Sequence, residues 1–280
     1  MKSYLFVPGD RSERLDKALA SGAHAVIVDL EDAVAPESKE AARASVAQWL
    51  HADKPVYLRC NAYGTPWFEG DLTLLSHPGV RGLVVPKAQE PEVLIQLAKQ
   101  LRPEQRLLPI VESVFGWDRA REMASAPQVD RLIFGSVDFA SDAGMGSDGA
   151  ELDAVRLHLV LVSRLAGVRA PVDGVTLAFA DDQALATDVA RSRRLGMGAK
   201  LCIHTRQVIG VNQGFAPSPA ELQWAQRVLE QVQAHGLGAI AVDGKLVDRP
   251  VWLLAQSLLA SLQRICLRQV QQAILLQYIR

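Results

Sequence analysis

The stretch that decides the fold contains two apolar runs of strand length, LLPIVES (residues 107–113) and RLIFGSVD (residues 131–138). The residues between them, 116–125, have the periodicity of a helix. Glu112 and Asp138 stand just past the two runs. In a parallel barrel their carboxylates would therefore meet at the C-terminal mouth, where barrel enzymes keep their chemistry. Two convergent carboxylates with open positions suit a hard divalent cation such as Mg²⁺, which prefers oxygen ligands and keeps several waters.

Apolar runs of this kind recur eight times along the chain. They are nearly continuous in Val, Ile and Leu rather than alternating, which is typical of strands that are covered on both faces. They occupy residues 3–7, 25–30, 56–60, 82–85, 107–111, 132–135, 172–175 and 199–203. The pattern therefore predicts eight buried strands.

Amphipathic stretches separate these runs, at residues 11–21, 37–50, 91–101, 116–123, 152–165 and 181–195. Strand alternating with helix indicates a parallel α/β fold, and eight such units in 280 residues favour a TIM (β/α)₈ barrel over residues 1–215. An open doubly wound sheet is the alternative, but no Gly-x-Gly-x-x-Gly motif follows the first strand to support it.

The pattern changes over residues 216–280, which we predict to form a C-terminal extension of the barrel. A helix opens at Pro217-Ser218-Pro219 and runs to about His235, and residues 239–248 form a small hairpin with an Asp-Gly turn. The last stretch, 250–280, is a long amphipathic helix with no Asp or Glu but with Arg264, Arg268 and Arg280. Packing on the barrel or on a neighbouring subunit explains it better than a membrane surface.

Bulk properties exclude several classes of protein. A formal net charge of −1 provides no field to attract nucleic acid or an anionic membrane. The first apolar run is too short for a signal peptide or a membrane span, so we expect a cytoplasmic protein. Cys60, Cys202 and Cys266 are widely spaced in apolar contexts, which favours buried, reduced thiols.

Polar residues gather at the ends of the predicted strands, where a pure core would avoid them: Asp29, Glu31, Asp32, Arg59, Lys87, Glu112, Asp138 and His204. Arg59 suits a substrate carboxylate, because guanidinium offers planar, bidentate recognition. Its structural alternative is a salt bridge to Glu31 or Asp32. Lys87 could bind an anion or hold acidic neighbours in place, and the sequence does not separate these roles. His204 is better explained as a structural residue.

Seven motifs in order resemble one family: LFVPG (5–9) followed by Arg14, DLEDAV (29–34), RCNAYGT (59–65), VVPK (84–87), PIVES (109–113), FGSVD (134–138) and GKLVDRP (244–250). Together they resemble the citrate lyase β-subunit-like proteins of the HpcH/HpaI aldolase superfamily, whose relatives include malyl-CoA and citramalyl-CoA lyases. The resemblance covers nearly the whole chain up to about residue 255.

The resemblance implies a TIM barrel that binds Mg²⁺, or Mn²⁺ in its place, through Glu112 and Asp138. Glu112 would also face the substrate, and Arg59 would hold the carboxylate of a 2-oxo acid as part of the catalytic machinery. Glu31 and Asp32 would orient the waters of the metal. Lys87 would stand beside these two residues.

The resemblance also implies a CoA thioester as substrate. Arg14 and Lys17 match a region that meets the phosphates of such a thioester. Asp248, in a C-terminal lid, would act as a catalytic acid or base, often in the active site of an adjacent subunit of a homotrimer or a hexamer. The tail beyond about residue 255 does not resemble the family, so the resemblance implies no role for it.

The function implied is a Mg²⁺-dependent carbon–carbon lyase that cleaves a β-hydroxyacyl-CoA thioester into a 2-oxo acid and acetyl-CoA. One alternative is the β subunit of a multi-subunit citrate lyase, which acts on a citryl thioester of an acyl-carrier protein. A second is a catalytically silent barrel that binds acyl-CoA or serves in assembly.

Overall fold

The computed structural model describes residues 1–146, 149–236 and 240–261. The chain divides into two compact units, the first Met1–Phe215 and the second beginning at Ala216. The predicted terminal helix is described only in part, and residues 249–261 are helical. Cys266 and the three arginines of the tail lie outside the described residues, as does residue 239 at the start of the predicted hairpin.

The first unit is a closed barrel of eight parallel strands in chain order, with the eighth strand paired to the first. The strands β1 to β8 are Ser3–Pro8, Ala25–Asp29, Val56–Arg59, Val80–Val85, Arg106–Val111, Ile133–Phe134, Val172–Asp173 and Ala199–Cys202. Each one overlaps a predicted run, so the TIM-barrel prediction is confirmed and the open doubly wound sheet is excluded.

Both faces of the strands are buried, which explains the nearly continuous apolar runs. In β1, Tyr4 and Phe6 pack with the residues that fill the barrel interior. Leu5 and Val7 of the same strand belong to the apolar layer around the barrel. Side chains alternate with a period of two, so one strand supplies both layers. Only the strand ends are left to face the open mouth.

Helices connect the strands and cover the outside of the barrel. They are α1 (Leu15–Leu19), α2 (Lys39–Trp49), α3 (Phe68–Leu72), α4 (Pro91–Ala98), α5 (Val114–Asp118), α6 (Ala120–Ala124), α7 (Ser136–Ala143), α8 (Asp153–Leu165), α9 (Asp182–Leu195) and α10 (Thr205–Gly214). The single helix predicted over residues 116–123 is wrong, because α5 and α6 meet there at Arg119. Its φ of −96° and ψ of 9° lie outside the α region and break the helix.

Cys60 and Cys202 are buried and form no disulfide, as predicted for reduced thiols. Burial raises the pKa of Cys202 to about 12, so its thiol stays protonated at neutral pH. Burial likewise raises the pKa of Cys60. Because the thiolate is the reactive form, neither cysteine is a candidate nucleophile.

The second unit opens with α11 (Pro219–His235). A capping box starts this helix: the Ser218 hydroxyl oxygen accepts a hydrogen bond from the Glu221 N–H at 3.2 Å, and Glu221 Oε2 accepts one from the Ser218 N–H at 2.7 Å. Proline at the first helical position supports the same start, since its missing N–H would be unpaired there in any case.

The predicted hairpin follows α11. Strands β9 (Ile240–Val242) and β10 (Lys245–Val247) pair antiparallel around Asp243 and Gly244, whose φ angles are 51° and 74°. Positive φ at both central residues is what a type I′ turn requires, and Asp-Gly supplies it. Val242 and Val247 pack with residues of α11 in a small apolar core. None of the described helices combines the length and the apolar character that a bilayer span requires.

Candidate active site

Glu112 and Asp138 line one cavity of about 430 Å³ at the C-terminal mouth of the barrel. Glu112 directly follows β5. Asp138 does not stand just past its strand, as the apolar run indicated, because β6 ends at Phe134 and Asp138 lies in the first turn of α7. A helix N-terminus favours a negative charge at that place. The two carboxylates therefore reach the cavity from a strand end and from a helix.

A glycine allows the helix that carries Asp138 to begin close to Glu112. A Cβ atom on Gly135 would lie 2.7 Å from Glu112 Oε2 and 2.5 Å from its Cβ. Any larger residue at position 135 would therefore displace the Glu112 side chain. The FGSVD motif needs its glycine for this close approach.

Glu112 is 6% exposed and has one hydrogen-bond donor among the described residues, the backbone N–H of Lys87, which contacts Oε1. Lys87 has a φ of 48°, an uncommon conformation for a residue with a side chain. Burial, helped by the nearby carboxylates of Glu31 and Asp138, raises the pKa of Glu112 to about 8. A buried carboxylate in this state gains from a nearby cation.

The other side of the mouth is rich in ion pairs. Arg59 Nε and Nη2 donate to the two carboxylate oxygens of Asp29 at 2.7 and 2.5 Å. Arg59 Nη1 lies 2.9 Å from Glu31 Oε2 and 3.9 Å from Asp32 Oδ2. Lys87 Nζ donates to Glu31 Oε1 at 2.7 Å. Arg59 and Lys87 thus offset most of the negative charge on this side, and Lys87 holds acidic neighbours, one of the two roles that the sequence left open.

The pKa values on this side reflect two opposing effects, burial and the ion pairs just described. Burial raises the pKa of Glu31, although Arg59 and Lys87 oppose it. Burial works to lower the pKa of Lys87, but the hydrogen bond to Glu31 and the surrounding carboxylates outweigh burial and raise it. The Lys87 ammonium therefore stays charged beside Glu31.

We call the seven charged residues at this end of the barrel the mouth cluster: Asp29, Glu31, Asp32, Arg59, Lys87, Glu112 and Asp138. It holds more carboxylates than cations. The carboxylate of Asp138 makes no hydrogen bond or ion pair with any described residue, and Glu112 pairs with no cationic side chain within 4.0 Å in the same part of the chain. Glu112 is buried with no cationic side chain paired to it among the described residues, and the exposed carboxylate of Asp138 lines the same cavity, so the cluster fits a divalent cation held by these two side chains.

The donor set also restricts the kind of metal. In the described ranges, no group of three or more His, Cys, Asp or Glu side chains is arranged to hold an ion. Two carboxylates from the protein, completed by water and ligand oxygens, are how Mg²⁺ is commonly held, whereas a structural zinc site needs four protein ligands.

Three predicted residues lie away from this cavity or have structural contacts. Arg14 is exposed, with its Nε 3.7 Å from Glu13 Oε1, and Lys17 is exposed on α1. Neither lines the cavity. His204 caps α10, where its Nδ1 accepts from the Arg206 N–H at 3.1 Å. This capping contact agrees with the structural role predicted for it.

Asp248 belongs to the second unit. It follows β10, and its Oδ1 accepts a hydrogen bond from the Val251 N–H at 3.2 Å, at the start of helical residues 249–261. An aspartate that caps a helix has a structural use that needs no catalysis. Its carboxylate is nevertheless exposed in this unit and is available to a ligand.

Asp29 stands out in the sequence only as one polar residue at a strand end, whereas the structure places it against Arg59. It is 2% exposed and ends β2, where it is paired in register with Arg59 of β3. Phe6 is a second residue whose contact with Arg59 the sequence did not indicate, and its ring centroid lies 4.7 Å from the Arg59 guanidinium carbon. The signal that could have found Asp29 is that adjacent strands end on facing residues of opposite charge.

A protein-family model described as HpcH/HpaI aldolase/citrate lyase matches residues 2–205. A citrate lyase subunit beta-like protein of Deinococcus radiodurans is 36% identical over 276 residues, with 93% of this chain and 96% of that protein covered. A (3S)-malyl-CoA thioesterase of Cereibacter sphaeroides is 32% identical, with 94% and 95% covered.

An L-malyl-CoA/beta-methylmalyl-CoA lyase of Rhodobacter capsulatus is 31% identical, with 87% of this chain and 89% of that protein covered. Among solved structures, CitE of Mycobacterium tuberculosis in complex with magnesium, acetoacetate and coenzyme A has a TM-score of 0.82 and 31% identity. The match covers 93% of this chain and 97% of that chain.

Proposed function

The chain belongs to the HpcH/HpaI aldolase/citrate lyase family, and from this premise we propose that it is a Mg²⁺-dependent carbon–carbon lyase. Its substrate is a β-hydroxyacyl-CoA thioester of the malyl-CoA, citramalyl-CoA or citryl-CoA type. The products are a 2-oxo acid and acetyl-CoA. Mn²⁺ is expected to replace Mg²⁺, since both accept oxygen ligands.

The observation that carries the proposal is the unequal charge of the mouth cluster. Glu112 and Asp138 face one cavity and pair with no cationic side chain of the described ranges, and Arg59 lines the same cavity. A metal-binding pair of carboxylates beside a guanidinium is the arrangement that a 2-oxo acid needs for its adjacent carbonyl and carboxylate. The related CitE structure with magnesium, acetoacetate and coenzyme A supports the same ligand classes.

The residues of the chain have separate tasks in the cleavage. Glu112 and Asp138 would hold the metal, which supplies Lewis-acid polarisation of the oxygens of the oxo acid. Arg59 holds the carboxylate of the oxo-acid portion and so fixes the direction of the bond that breaks. The hydroxyl group of the substrate gives its proton to a base and becomes the carbonyl of the oxo acid as the carbon–carbon bond breaks, and the electron pair of that bond stays on the thioester fragment as an enolate. The enolate carbon must then accept a proton to give acetyl-CoA.

We assign the proton transfer at that carbon to Asp248, and Asp248→Asn should lower kcat by about 10²- to 10⁴-fold, the usual contribution of a general acid or base. The same variant should leave the affinity for Mg²⁺ unchanged. Binding of Mg²⁺ by calorimetry and turnover of the same preparation test both statements. A kcat within about threefold of the parent would contradict the assignment.

A mixing experiment tests whether Asp248 serves a neighbouring subunit in a homo-oligomer. Arg59→Ala and Asp248→Asn are each expected to be inactive alone, because each removes a different part of the site. Mixed oligomers formed by unfolding and refolding the two variants together should regain part of the activity if Asp248 acts across subunits. No recovery would place Asp248 in the site of its own subunit.

Two names among the relatives favour competing reactions. The Deinococcus relative is called citrate lyase subunit beta-like, which favours a subunit that acts on a citryl thioester of an acyl-carrier protein. The Cereibacter relative is called a thioesterase, which favours hydrolysis of a malyl thioester. A catalytically silent acyl-CoA-binding barrel is the remaining alternative.

One assay separates these reactions. Purified protein with Mg²⁺ is given malyl-, citramalyl- and citryl-CoA, and the 2-oxo acid and the free thiol are measured in parallel. A lyase releases the oxo acid without thiol, whereas a thioesterase releases thiol without the oxo acid. Activity only on a carrier-bound citryl thioester would favour the citrate lyase subunit. Binding of thioester without any product would favour the silent barrel.

A further inference from the structure

Arg59 presents only part of its guanidinium to the cavity. Its Nε and Nη2 atoms bond the two oxygens of Asp29 side-on, at 2.7 and 2.5 Å. Glu31 Oε2 lies 2.9 Å from Nη1 but accepts no aligned hydrogen bond from any described residue. Guanidinium has five N–H donors in a fixed fork. The end-on edge, formed by Nη1 and Nη2, therefore keeps donors for a ligand.

Asp29 is itself fixed on several sides. It is 2% exposed and is the last residue of β2, in register with Pro8 of β1 and Arg59 of β3. Its Oδ1 also accepts the N–H of Glu31 at 2.9 Å. A side chain held in this way has one accessible position, so it imposes that position on its partner.

The face of the Arg59 guanidinium is restricted as well. The ring centroid of Phe6 lies 4.7 Å from the guanidinium carbon, within the range of a cation–π contact. Burial alone would lower the pKa of Arg59, but the hydrogen bonds and the charge of Asp29 outweigh burial and raise it. Asp29 thus keeps Arg59 charged and sets its plane.

We propose that Asp29 is a positioning residue that directs the end-on edge of Arg59 at the carboxylate of the 2-oxo acid. This inference rests on the proposed function. Asp29 touches neither substrate nor metal in this arrangement, and it acts through Arg59. Because Asp29 already compensates the charge of Arg59, the oxo acid is recognised by the direction of two hydrogen bonds more than by net charge.

The test is a double-mutant cycle on binding, so it does not depend on turnover. Glyoxylate and pyruvate are titrated separately in saturating Mg²⁺ into the parent protein, Asp29→Asn, Arg59→Ala and the double variant. Asp29→Asn should weaken binding of the oxo acid by about 10- to 100-fold, the range of one or two charge-assisted hydrogen bonds. In the Arg59→Ala background the same change should alter binding by less than about twofold, because the partner is absent.

Two controls separate positioning from general damage. Asp71 is equally buried and pairs with Arg43 at 3.2 Å, but it does not line the cavity. Asp71→Asn should therefore leave binding of the oxo acid unchanged. Affinity for Mg²⁺ without oxo acid should stay within about threefold in Asp29→Asn, whereas a damaged site would lose it.

Each outcome decides between the two proposals. If the parent protein binds neither oxo acid, the proposed function and this inference both fail. If Arg59→Ala loses binding but Asp29→Asn does not, only the positioning role fails. An equal loss from Asp29→Asn with and without Arg59 also overturns it. If Asp29→Asn does not fold, Asp29→Glu replaces it: the longer side chain keeps the charge but moves the two oxygens that hold Arg59, so binding of the oxo acid should weaken about tenfold, and an unchanged affinity would overturn the positioning role.

Discussion

Two groups of charged side chains lie on opposite faces of the barrel wall, and they differ in how completely they are paired. The mouth cluster faces the cavity. The second group, which we call the buried network, lies between the barrel and helices α8 and α9 and consists of four charged residues, Asp173, Lys200, Arg156 and Asp188, together with the hydroxyl of Ser192.

Each charged residue of the buried network lies within ion-pair distance of a residue of opposite charge. Arg156 Nε contacts Asp173 Oδ1 at 2.8 Å, and the Ser192 hydroxyl donates to Asp173 Oδ2. Lys200 Nζ donates to the Gly174 carbonyl at 2.7 Å and lies 3.8 Å from Asp173 Oδ2. Burial alone would raise the pKa of Asp173, but Lys200 and Arg156 outweigh burial and lower it.

The difference shows how the same residue types serve two purposes. In the network both oxygens of the buried carboxylate face cations and a hydroxyl, so the charges join strands to helices. In the mouth cluster Glu112 is nearly as buried, yet no cationic side chain pairs with it among the described residues. A buried carboxylate without a cationic partner destabilises a fold unless a ligand compensates it, so the mouth cluster is the group that we propose to be functional.

The largest effect on stability is expected from breaking the ion pairs of Asp173 in the buried network. Asp173→Asn would remove the carboxylate that Arg156 and Lys200 share, leaving them only Asp153 at 3.3 Å and Asp188 at 3.9 Å, and should lower the free energy of unfolding by about 3–5 kcal/mol. Urea denaturation followed by circular dichroism measures it. Affinity of the folded variant for Mg²⁺ should stay the same. A loss below about 1 kcal/mol would show that the network is not what joins β7 to the helices.

The pH dependence of Mg²⁺ binding tests the state of Glu112 in the mouth cluster. With a pKa of about 8, Glu112 carries a proton at neutral pH that Mg²⁺ must displace. The apparent dissociation constant should therefore rise about tenfold for each pH unit below about 8. Calorimetry over about pH 6–8 measures this slope. Glu112→Gln should bind Mg²⁺ more than about 100-fold more weakly at pH 8, with a flat profile.

The same carboxyl gives a stability signature with a definite sign. The pKa of Glu112 is about 8 in the folded chain against an ordinary 4.5, so between these values the folded state holds the extra proton. Stability without metal should then fall as pH rises through this window. Glu112→Gln should remove the fall in thermal midpoint. A parent midpoint that rises with pH over this range, relative to Glu112→Gln, would contradict the raised pKa.

The smallest effect is expected from Lys87→Met, which removes the ammonium group of Lys87 and keeps its backbone N–H. The ammonium group is half-exposed, so loss of its ion pair with Glu31 should cost less than about 1 kcal/mol of stability. The backbone N–H that bonds Glu112 remains, so affinity for Mg²⁺ should change by only about threefold. A loss of Mg²⁺ binding as large as that of Glu112→Gln would assign the ammonium a direct role at the metal.

Most of the barrel could be predicted from local pattern. Buried parallel strands need apolar side chains on both faces, and this requirement appears as continuous runs that can be counted without knowing the contacts. The weak run at residues 172–175 still marked β7, although only two of its residues form a strand. The break at Arg119 could not be predicted, because residues 117–124 contain no glycine or proline to mark the end of a helix.

The residues of the candidate site could be predicted from the sequence, but the ion pairs between them could not. Strand-end position placed Glu112 and Arg59 at the mouth, because all parallel strands of a barrel end at the same edge. Asp138 was assigned to a strand end, yet it reaches the cavity from a helix that starts against Gly135. The lid role of Asp248 came from resemblance, and it stays a proposal.

The sequence by itself determined the barrel, the hairpin turn and the residue types at the mouth, because each depends on a short period or on a few adjacent residues. Only the tertiary structure decided which charge faces which. Asp29 and Arg59 are thirty positions apart, and the register of β2 against β3 brings them together. Local pattern carries no information on that register. Asp29 and Glu112 are both buried carboxylates. They differ in that Asp29 forms an ion pair with Arg59, whereas Glu112 pairs with no cationic side chain of the described residues.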